Sequence, residues 1–436
     1  MIDIVPITDF PDICYPGFIE SECGSMLILP RERNMTRLYV PFKAVNNGEG
    51  DDNTRDSIDL DTIRRRAQTF FKVYTFDFKV CGWWSVYKVG QRVAEHSSNP
   101  GNRIFLAGDA VHMHSPKIGL GMNTSMQDGY NLGWKVALAA SGALADPGAL
   151  LATYQAEGLP VANELVEFDR VLYSPEGTVD PEAFLKTHGA FQQFADDRRL
   201  MYPESSIVSK TTSSQSAAKN LIVGESFIHA KVVGHANSQL YRTMRLFASD
   251  GRFRVVLLAG NVDSEAQLAR VGRFCSRLQS GDGEEEQSKA TPPPPLLTRY
   301  RYPFNPASRY SKTGADPTGR QHPDITFEHE RPLQSMISLL TIHSGQNYAS
   351  RSLFDLPEIL RGPFDPNYHG WDYGRILVDA AVHYDRYCDG RAYDMWGVDR
   401  GRGAVVVVRP DMHVGWVGGL EDVGALDAFF VSVFGH

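Results

Sequence analysis

The sequence contains the stretch Arg103-Ile104-Phe105-Leu106-Ala107-Gly108-Asp109-Ala110-Val111-His112, in which an apolar run is followed by the acid Asp109. A glycine-containing loop follows, Ser115-Pro116-Lys117-Ile118-Gly119-Leu120-Gly121-Met122-Asn123. The apolar residues before Asp109 predict a buried strand, and the pattern after the loop predicts a helix from Asn123 to Ala140. This order places one carboxylate at the carboxyl end of a strand and aims the amides of a helix start at the same spot. The stretch therefore predicts a site for a polar ligand.

The spacing behind Asp109 indicates what kind of ligand that is. A single acid after a strand is usually a helix cap or a loop residue, but a cap does not require Pro116, Gly119, Gly121 and Asn123 at fixed distances. Glycines let backbone approach a flat ligand closely, and a helix start carries positive partial charge. We therefore favour a cofactor with a polyol chain and a ring that becomes anionic when it is reduced.

Composition excludes several other classes of protein. The chain has 436 residues, enough for two or three domains, and its net charge of −8 argues against nucleic acid or anionic membrane as a partner. No apolar run approaches the roughly 18 residues of a membrane helix, and the N-terminus lacks the features of a secretory signal. His112 and His114 have no carboxylate or cysteine set to complete a metal site, so none is predicted. Scattered cysteines without a CxxC pair predict a cytoplasmic protein; they are Cys14, Cys23, Cys81, Cys275 and Cys388.

Residues 1–204 predict a mixed region of strands and helices. The predicted strands are Ile2–Val5, Met26–Leu29, Arg37–Phe42 and Trp83–Tyr87, and the predicted helices are Ile58–Phe71, Asn123–Ala140 and Ala149–Phe168. In the helix from Asn123, small residues recur every four positions at Gly129, Gly133 and Ala137. That face is expected to pack closely against a sheet or another helix.

Residues 205–218 are rich in Ser, Thr and Ala and are expected to be a linker, and residues 219–436 then alternate strands and helices. Within this part, a β-α-β segment followed by β-β-α resembles a thioredoxin-like fold, but the missing CxxC gives no reason to expect a redox role. Residues 280–295 hold an acidic run and four prolines, so a disordered insertion is expected there. The predicted fold class is α/β and α+β.

The motif around Asp109 resembles the second flavin motif of the single-component FAD aromatic hydroxylases. The residues that carry this resemblance are Gly108-Asp109-Ala110-Val111-His112, Pro116, Gly119, Gly121, Asn123, Asp128 and Asn131-Leu132. More narrowly, the chain resembles fungal phenol 2-monooxygenases, which carry a thioredoxin-like C-terminal domain. Further matching stretches are Thr8-Asp9-Phe10-Pro11-Asp12, Pro30-Arg31-Glu32, Gly90-Gln91-Arg92-Val93-Ala94 and Val408-Arg409-Pro410-Asp411.

The resemblance implies a domain organisation. Residues 1–204 would be a partial FAD- and substrate-binding domain, and residues 219–436 a thioredoxin-like domain. Members of the family begin with a strand, a G-x-G-x-x-G turn and a helix that hold the ADP part of FAD, and neither that unit nor a second Asp-Gly motif occurs before residue 103. The chain therefore resembles a phenol hydroxylase without its first part, through either a late start or a true truncation.

The resemblance also assigns site residues by position. Asp109 would bind the ribityl chain of FAD, and the loop would line the isoalloxazine through Pro116, Gly119, Leu120, Gly121, Met122 and Asn123. Arg31, Arg37 and Tyr39 match active-site positions, with Tyr39 hydrogen-bonded to the phenol or the flavin. Without the resemblance, Tyr39 is an ordinary strand tyrosine and the two arginines are solvated hairpin charges. Trp83 and Trp84 are expected in the core and at its rim rather than around a substrate.

The implied reaction is the ortho-hydroxylation of a phenol, with FAD as cofactor and NADPH and O₂ as co-substrates, in a homodimer. The cofactor does the chemistry, and the protein supplies position, electrostatics and exclusion of water. Two alternatives stay open. One is a non-catalytic remnant that pairs through its thioredoxin-like domain. The other is a hydroxybenzoate hydroxylase, in which an arginine such as Arg31 would bind the substrate carboxylate.

Overall fold

The structure of the chain is a computed structural model. It describes residues 1–22, 24–42, 58–87, 90–115, 119–172, 200–280, 296–299, 336–345, 351–361, 373–385 and 387–435. The chain forms two compact units. The first comprises residues 1–97, 106–126 and 159–195, and the second comprises residues 98–105, 127–158 and 196–436. No helix among the described residues has the length and apolar character needed to cross a membrane.

In the described part of the first unit, five antiparallel strands form one sheet in the order β2-β3-β4-β1-β5. The strands are β1 (Ile2–Thr8), β2 (Gly17–Ser21), β3 (Gly24–Pro30), β4 (Thr36–Tyr39) and β5 (Phe76–Trp84). The first two predicted strands are confirmed, and the third is confirmed in part, because β4 ends at Tyr39 rather than at Phe42. The fourth lies earlier than predicted, because β5 ends at Trp84 rather than starting at Trp83.

Helix α1 (Leu60–Phe70) belongs to the core on one face of this sheet. It begins after Asp59, whose carboxylate accepts a hydrogen bond from the backbone N–H of Thr62 at 2.8 Å. The helix contributes Ile63, Ala67 and Phe70 to this core. The strands contribute apolar side chains from alternate positions, which are Ile2, Ile4, Ile28, Leu38 and Phe78. The period of two along each strand leaves Asp3 and Arg37 on the other face, away from α1.

A short ribbon follows, made of β6 (Arg92–Val93) and β7 (His112–Met113), with a 3₁₀ turn at Gly108–Ala110 just before β7. The prediction of a buried strand before Asp109 is wrong. Ile104 and Leu106 are 65% and 40% exposed, and the segment has one isolated bridge, between Ser98 and Phe105. An apolar run becomes a strand only when a neighbouring strand pairs with it, and the described residues offer no longer ladder here.

Two long helices contribute to both units, α2 (Gly121–Ala140) and α3 (Pro147–Leu172). Both were predicted, α2 with its end at Ala140, and Pro160 is accommodated inside α3. The expectation for the small-residue face of α2 is wrong. A Cβ atom added to Gly129 or Gly133 would meet no atom within 4 Å, and both glycines are exposed. A repeat of small residues permits close packing but does not require a partner.

In the second unit, seven strands of the described residues form a sheet in the order β14-β13-β10-β11-β12-β8-β9. The strands are β8 (Lys231–Gly234), β9 (Leu240–Arg242), β10 (Phe253–Gly260), β11 (Ile337–His343), β12 (Ile376–Val378), β13 (Ala404–Val408) and β14 (Val414–Gly418). The helices are α4 (Thr243–Leu246), α5 (Glu265–Ser280), α6 (Leu296–Arg299), α7 (Glu358–Arg361), α8 (Ala392–Trp396) and α9 (Val423–Phe434).

The centre of this sheet has the predicted order of elements. β10 and β11 are parallel with α5 between them in the chain, β13 is antiparallel to β10, and β14 and α9 complete the β-β-α segment. Strand β10 is buried along its whole length, as expected for a strand covered on both faces. The name thioredoxin-like stays a prediction.

Residues 205–218, the predicted linker, lie within the second unit. Ile207 and Val208 are fully buried, and the backbone N–H groups of Ser209 and Ser214 donate to the carbonyls of Gly415 and Val417 at 2.8 Å. The predicted insertion at 280–295 lies outside the described residues after its first position. The division into domains stays a prediction.

Candidate functional site

The turn that carries Asp109 depends on the glycine before it. Gly108 has φ = +60°, the left-handed region that favours glycine, and a Cβ atom there would lie 2.9 Å from Ser125 Oγ. Ser125 is in the first turns of α2, so the 3₁₀ turn at Gly108–Ala110 packs directly on the start of that helix. The Asp109 carboxylate is exposed beside it.

The start of α2 is the second component of this site. The first intrahelical bond near it runs from the Thr124 N–H to the Leu120 carbonyl at 2.9 Å, which leaves the amides of residues 121–123 without a partner inside the helix. A Cβ atom at Gly121 would lie 3.2 Å from the His114 ring, a tight contact that a glycine avoids. Gly119 has φ = +73°, no atom of the described residues lies within 4 Å of a Cβ atom placed on it, and Met122 is 71% exposed.

The structure thus brings together Asp109, Gly119, Leu120, Gly121, Met122 and Asn123. Pro116, the remaining predicted cofactor residue, lies outside the described residues. Sequence reasoning placed Asp109 correctly beside the helix start but attributed this to a strand. The tight turn and its contact with Ser125 provide the position instead.

Asp169 was not singled out from the sequence, although it holds this loop in place. It is fully buried near the end of α3, and its Oδ2 accepts hydrogen bonds from Gln91 Nε2 and from the Ser115 N–H, both at 2.7 Å. These bonds tie α3 to the residue before β6 and to the loop that leads to Gly119. Gln91 lies in a stretch that carried the family resemblance, but nothing in the sequence marks its partner.

The predicted active-site residues Arg31, Arg37 and Tyr39 lie elsewhere in the same unit, on the sheet. Arg37 is opposite Asp3 in the β1–β4 pair, and its Nε and Nη2 donate to the two Asp3 oxygens at 2.6 and 2.8 Å. Arg31 approaches the same carboxylate at 3.4 Å and pairs with Glu32 at 2.7 Å. Asp3 was missed from the sequence, because a strand acid near the N-terminus has no pattern that marks it.

The charges on this face of the sheet are fixed by their pairing. The hydrogen bond from Arg37 lowers the pKa of Asp3, and the hydrogen bond to Asp3 raises the pKa of Arg37, with a smaller contribution from Tyr39. The hydrogen bond from Arg31 lowers the pKa of Glu32 to about 2. The two arginines and two acids are therefore all charged at neutral pH, and the group is balanced.

Trp83 is on the same row of the sheet. It is paired with Asp3 across β1 and β5, and the Arg37 guanidinium lies 5.4 Å from its ring centre. Trp83 and Trp84 are 41% and 38% exposed, so of the predicted core and rim positions the core position is wrong and both residues lie at the rim. Among the described residues β5 is at the edge of this sheet, with β1 as its one strand partner.

Comparison with known protein families identifies two matching family models. The family described as phenol hydroxylase, C-terminal dimerisation domain, matches residues 200–436, and the family described as FAD binding domain matches residues 5–169. The first of these matches covers more than half of the chain.

The chain belongs to the phenol hydroxylase family of FAD-dependent aromatic hydroxylases.

Curated relatives in this family are similar over almost the whole chain. The FAD-dependent monooxygenase terD of Aspergillus terreus is 31% identical over 99% of the chain and 64% of its own length. Phenol 2-monooxygenase fsqG of Aspergillus fumigatus is 32% identical over 99% of the chain and 64% of its length. The 3-hydroxybenzoate 4-monooxygenase of Comamonas testosteroni is 31% identical over 99% of the chain and 63% of its own length. The chain spans just under two thirds of the length of these relatives.

Solved structures show the same fold. The flavin-dependent monooxygenase PieE, in complex with FAD and substrate, aligns with a TM-score of 0.50 at 18% identity over 99% of this chain and 65% of that one. The aklavinone-11 hydroxylase, in a complex with FAD and aklavinone, aligns with a TM-score of 0.51 at 15% identity over 100% of this chain and 62% of that one.

The residues around Asp109 fit the flavin end of an FAD molecule. An exposed carboxylate is the acceptor that a chain of hydroxyl groups needs, and the amides at the start of α2 are donors for an electron-rich ring edge. None of the described residues places an atom within 4 Å of a Cβ atom at Gly119, and its left-handed backbone together with the missing side chain lets a flat ring approach the main chain there. The family's cofactor and this donor set therefore agree.

Proposed function

We propose that this chain takes part in the FAD-dependent, NADPH-using ortho-hydroxylation of phenolic compounds. The observation that carries the proposal is the placement of the turn that bears Asp109, through Gly108, against the first turns of α2, where the amides of residues 121–123 have no partner inside the helix. The family's printed descriptions and the phenol 2-monooxygenase relative support the reaction class.

In this proposal the residues near Asp109 bind and polarise the cofactor. Asp109 accepts hydrogen bonds from ribityl hydroxyl groups, and the amides of residues 121–123 favour negative charge at the nearby ring edge. Gly119 and Leu120 line the ring. When bound, FAD supplies the redox chemistry that passes electrons from NADPH and activates O₂.

The sheet residues would bind the phenol. Tyr39 is half-buried on β4, where its hydroxyl contributes to the electrostatic surroundings of Arg37, and it would hydrogen-bond the hydroxyl of the substrate. Because Arg37 is neutralised by Asp3, its role would be to orient Tyr39 rather than to bind an anion. Trp83 offers an exposed aromatic surface next to this pair.

A turnover experiment tests the proposal. The 436-residue chain is incubated with FAD, NADPH and phenol, and NADPH consumption is compared with the catechol found by chromatography. We expect hydroxylated product that depends on phenol, a clear reduction in Tyr39→Phe, and no change in Tyr15→Phe, a 66% exposed tyrosine of the same unit. FAD uptake with no hydroxylated product from any phenol would contradict the proposed reaction.

A hydroxybenzoate hydroxylase is the second candidate. Arg31 favours it, because its side chain is 30% exposed and its contact with Asp3 is long, at 3.4 Å. The similarity to a 3-hydroxybenzoate 4-monooxygenase also supports it. Rates of NADPH oxidation with phenol, catechol and 3-hydroxybenzoate distinguish the two candidate reactions. A preference for 3-hydroxybenzoate that disappears in Arg31→Ala but persists in Arg33→Ala supports the hydroxybenzoate hydroxylase. A preference unchanged in Arg31→Ala counts against it.

We further propose a cytoplasmic homodimer with a thioredoxin-like C-terminal domain. The strand order β14-β13-β10-β11, with parallel β10 and β11, supports that fold, and the family described as a dimerisation domain supports the dimer. Free cysteines support a reducing compartment. Light scattering on the purified chain checks the dimer. A dimer that takes up no FAD would favour the alternative of a non-catalytic pairing protein.

A further inference from the structure

Two histidines lie directly before the loop that leads to α2, and the proposed reaction gives neither of them a role. His112 and Met113 form β7, and His114 follows the end of that strand, all within the first unit. The two histidine rings are nearly parallel, at an angle of 16° with their centres 6.2 Å apart. His112 is buried, whereas His114 is half-buried. His114 is therefore the more accessible of the two rings.

A hydrogen bond of the His114 ring decides which of its nitrogens can titrate. Nδ1 lies 3.0 Å from the backbone carbonyl oxygen of Ser115. Because a carbonyl oxygen can only accept, Nδ1 carries a hydrogen atom in both the neutral and the charged ring. Nε2 is then the nitrogen that gains and loses a proton. It is an acceptor in the neutral ring and a donor in the charged one.

The residue that orients the His114 ring is itself held in place. The Ser115 N–H donates to Asp169 Oδ2 at 2.7 Å, and Gln91 Nε2 donates to the same oxygen at 2.7 Å. Asp169 and Ser115 are both buried, so the bond between them is shielded from water. The Ser115 peptide therefore gives the Nδ1 side of the His114 ring a fixed point of attachment.

The opposite edge of the His114 ring lies against the start of α2. A Cβ atom on Gly121 would be 3.2 Å from His114 Cε1 and 3.3 Å from His114 Nε2. Gly121 is the first residue of α2, and the amides of residues 121–123 have no partner inside the helix. The titrating nitrogen is thus at the same helix start as the amides that would face the electron-rich edge of the flavin.

The charge at this helix start depends on the state of the imidazole. The first turn of α2 contains neither an acidic nor a basic side chain. The titratable groups on the neighbouring described elements are His112 in β7, Arg92 opposite Met113 in β6, Asp109 in the 3₁₀ turn and Asp169 in α3. A helix start by itself carries a positive charge of about 0.5. A protonated His114 would add a whole positive charge beside it.

We propose that His114 is a further flavin-binding residue, whose charged imidazole favours the negative charge that the ring gains on reduction. Two contacts carry the proposal: Nδ1 is fixed by the Ser115 carbonyl, and the Nε2 edge lies on Gly121. A positive charge held at this place binds the reduced cofactor more tightly than the oxidised one and so raises its reduction potential. This inference rests on the proposed function, because it requires FAD at Asp109 and the start of α2.

The test measures the reduction potential of FAD bound to the full chain in His114→Asn. The asparagine amide can still donate to the Ser115 carbonyl from the position of Nδ1, but it has no counterpart of Nε2 and no charge. We expect the parental melting temperature and a preference for reduced over oxidised FAD that is about tenfold weaker, a potential lower by about 30 mV. His96→Asn, at an exposed histidine of the same unit, is the matched control and should keep the parental potential.

The difference in potential between the parent and His114→Asn should also depend on pH. It should be largest near about pH 6 and vanish towards about pH 9, because an imidazole is charged only at the acid end of this range. Bound FAD with the parental potential in His114→Asn would overturn the proposal, even if the melting temperature falls, since His114 would then have a structural role only. A difference of equal size at both pH values would overturn it as well.

The parent protein alone provides a second measurement if His114→Asn does not fold. The potential of bound FAD relative to that of free FAD should fall as the pH rises from about 6 to about 9, because the charge of the imidazole is lost. A constant gap between the bound and the free cofactor would overturn the proposal. A parent that takes up no FAD would contradict the proposed function itself, which distinguishes that failure from the failure of this inference.

Discussion

Arg37 lies directly opposite Asp3 in the antiparallel pair of β4 and β1, and it donates to both oxygens of that carboxylate at 2.6 and 2.8 Å. A bidentate pair at this position fixes the arginine against the sheet, with its guanidinium near the Trp83 ring. The group formed by Asp3, Arg37, Arg31 and Glu32 on this face of the sheet is thus polar but neutral. Such a surface suits an uncharged phenol better than it suits an anion, unless Arg31 is released from its own partners.

The Asp3–Arg37 pair makes stability depend on acid pH. The pKa of Asp3 is lowered in the folded protein by the hydrogen bond from Arg37, so the stabilisation is present above the unfolded pKa near 3.8 and is lost as pH falls through the folded pKa. We expect Asp3→Asn to cost about 1–2 kcal/mol at neutral pH and to flatten the loss of stability below about pH 4. Urea unfolding across this range is the measurement. Asp61→Asn, at a 75% exposed side chain, is the control and should have the same stability as the parent at each pH. Identical curves of unfolding free energy against pH for Asp3→Asn and the parent would show that the Asp3–Arg37 pair does not cause the pH dependence.

Substitution by alanine should lower the stability of the folded protein at Gly108 and raise it at Gly129. Gly108→Ala places a Cβ atom 2.9 Å from Ser125 Oγ on a backbone at φ = +60°, which should cost about 1–3 kcal/mol and displace Asp109. Gly129→Ala meets open space in the interior of α2 and should stabilise the protein by about 0.5–1 kcal/mol. Thermal unfolding and FAD affinity check both variants. A Gly108→Ala protein with parental stability and FAD affinity would show that the turn is not needed.

The His235–His343 pair in the second unit should make stability fall as pH drops below neutral. The rings are joined by a 2.7 Å hydrogen bond between His235 Nδ1 and His343 Nε2, and burial lowers the pKa of His343 from 6.5 to about 3. The unfolded chain therefore takes up a proton near pH 6.5 while the folded chain does not, which costs about 2 kcal/mol between pH 7 and pH 5. His343→Gln should reduce this loss to the part that comes from His235, whose pKa is also lowered by burial, whereas His383→Gln, at an exposed histidine, should retain the whole loss. An unchanged pH dependence in His343→Gln would mean that another group is responsible.

The sequence was most informative where a pattern is local. The helix from Asn123 to Ala140 and the order of strands and helices around β10, β13 and β14 follow from residues close in the chain. The prediction failed for the run before Asp109, because strand formation needs a partner strand and apolar residues alone do not provide one. It failed again at Gly129 and Gly133, because a bare helix face does not specify what covers it.

In the candidate site, too, the residues in local patterns could be predicted from the sequence and those with distant partners could not. Asp109 and the loop from Gly119 to Asn123 were predicted because their spacing is local. Asp3 and Asp169 were not, because each acts on partners that are distant in sequence: Asp3 on Arg37, and Asp169 on Gln91 and Ser115. Buried acids reveal their roles only when the fold brings their donors to them.

Binding of FAD to the purified 436-residue chain, followed by flavin fluorescence, tests the central claim most directly. The parent should bind FAD saturably. Asp109→Asn should bind it about 10- to 100-fold more weakly with an unchanged melting temperature, because a charged acceptor to hydroxyl groups contributes about 1.5–3 kcal/mol. Asp61→Asn should bind as the parent does. No saturable uptake by the parent, or equal affinities for the parent and Asp109→Asn, would contradict the assignment of this site.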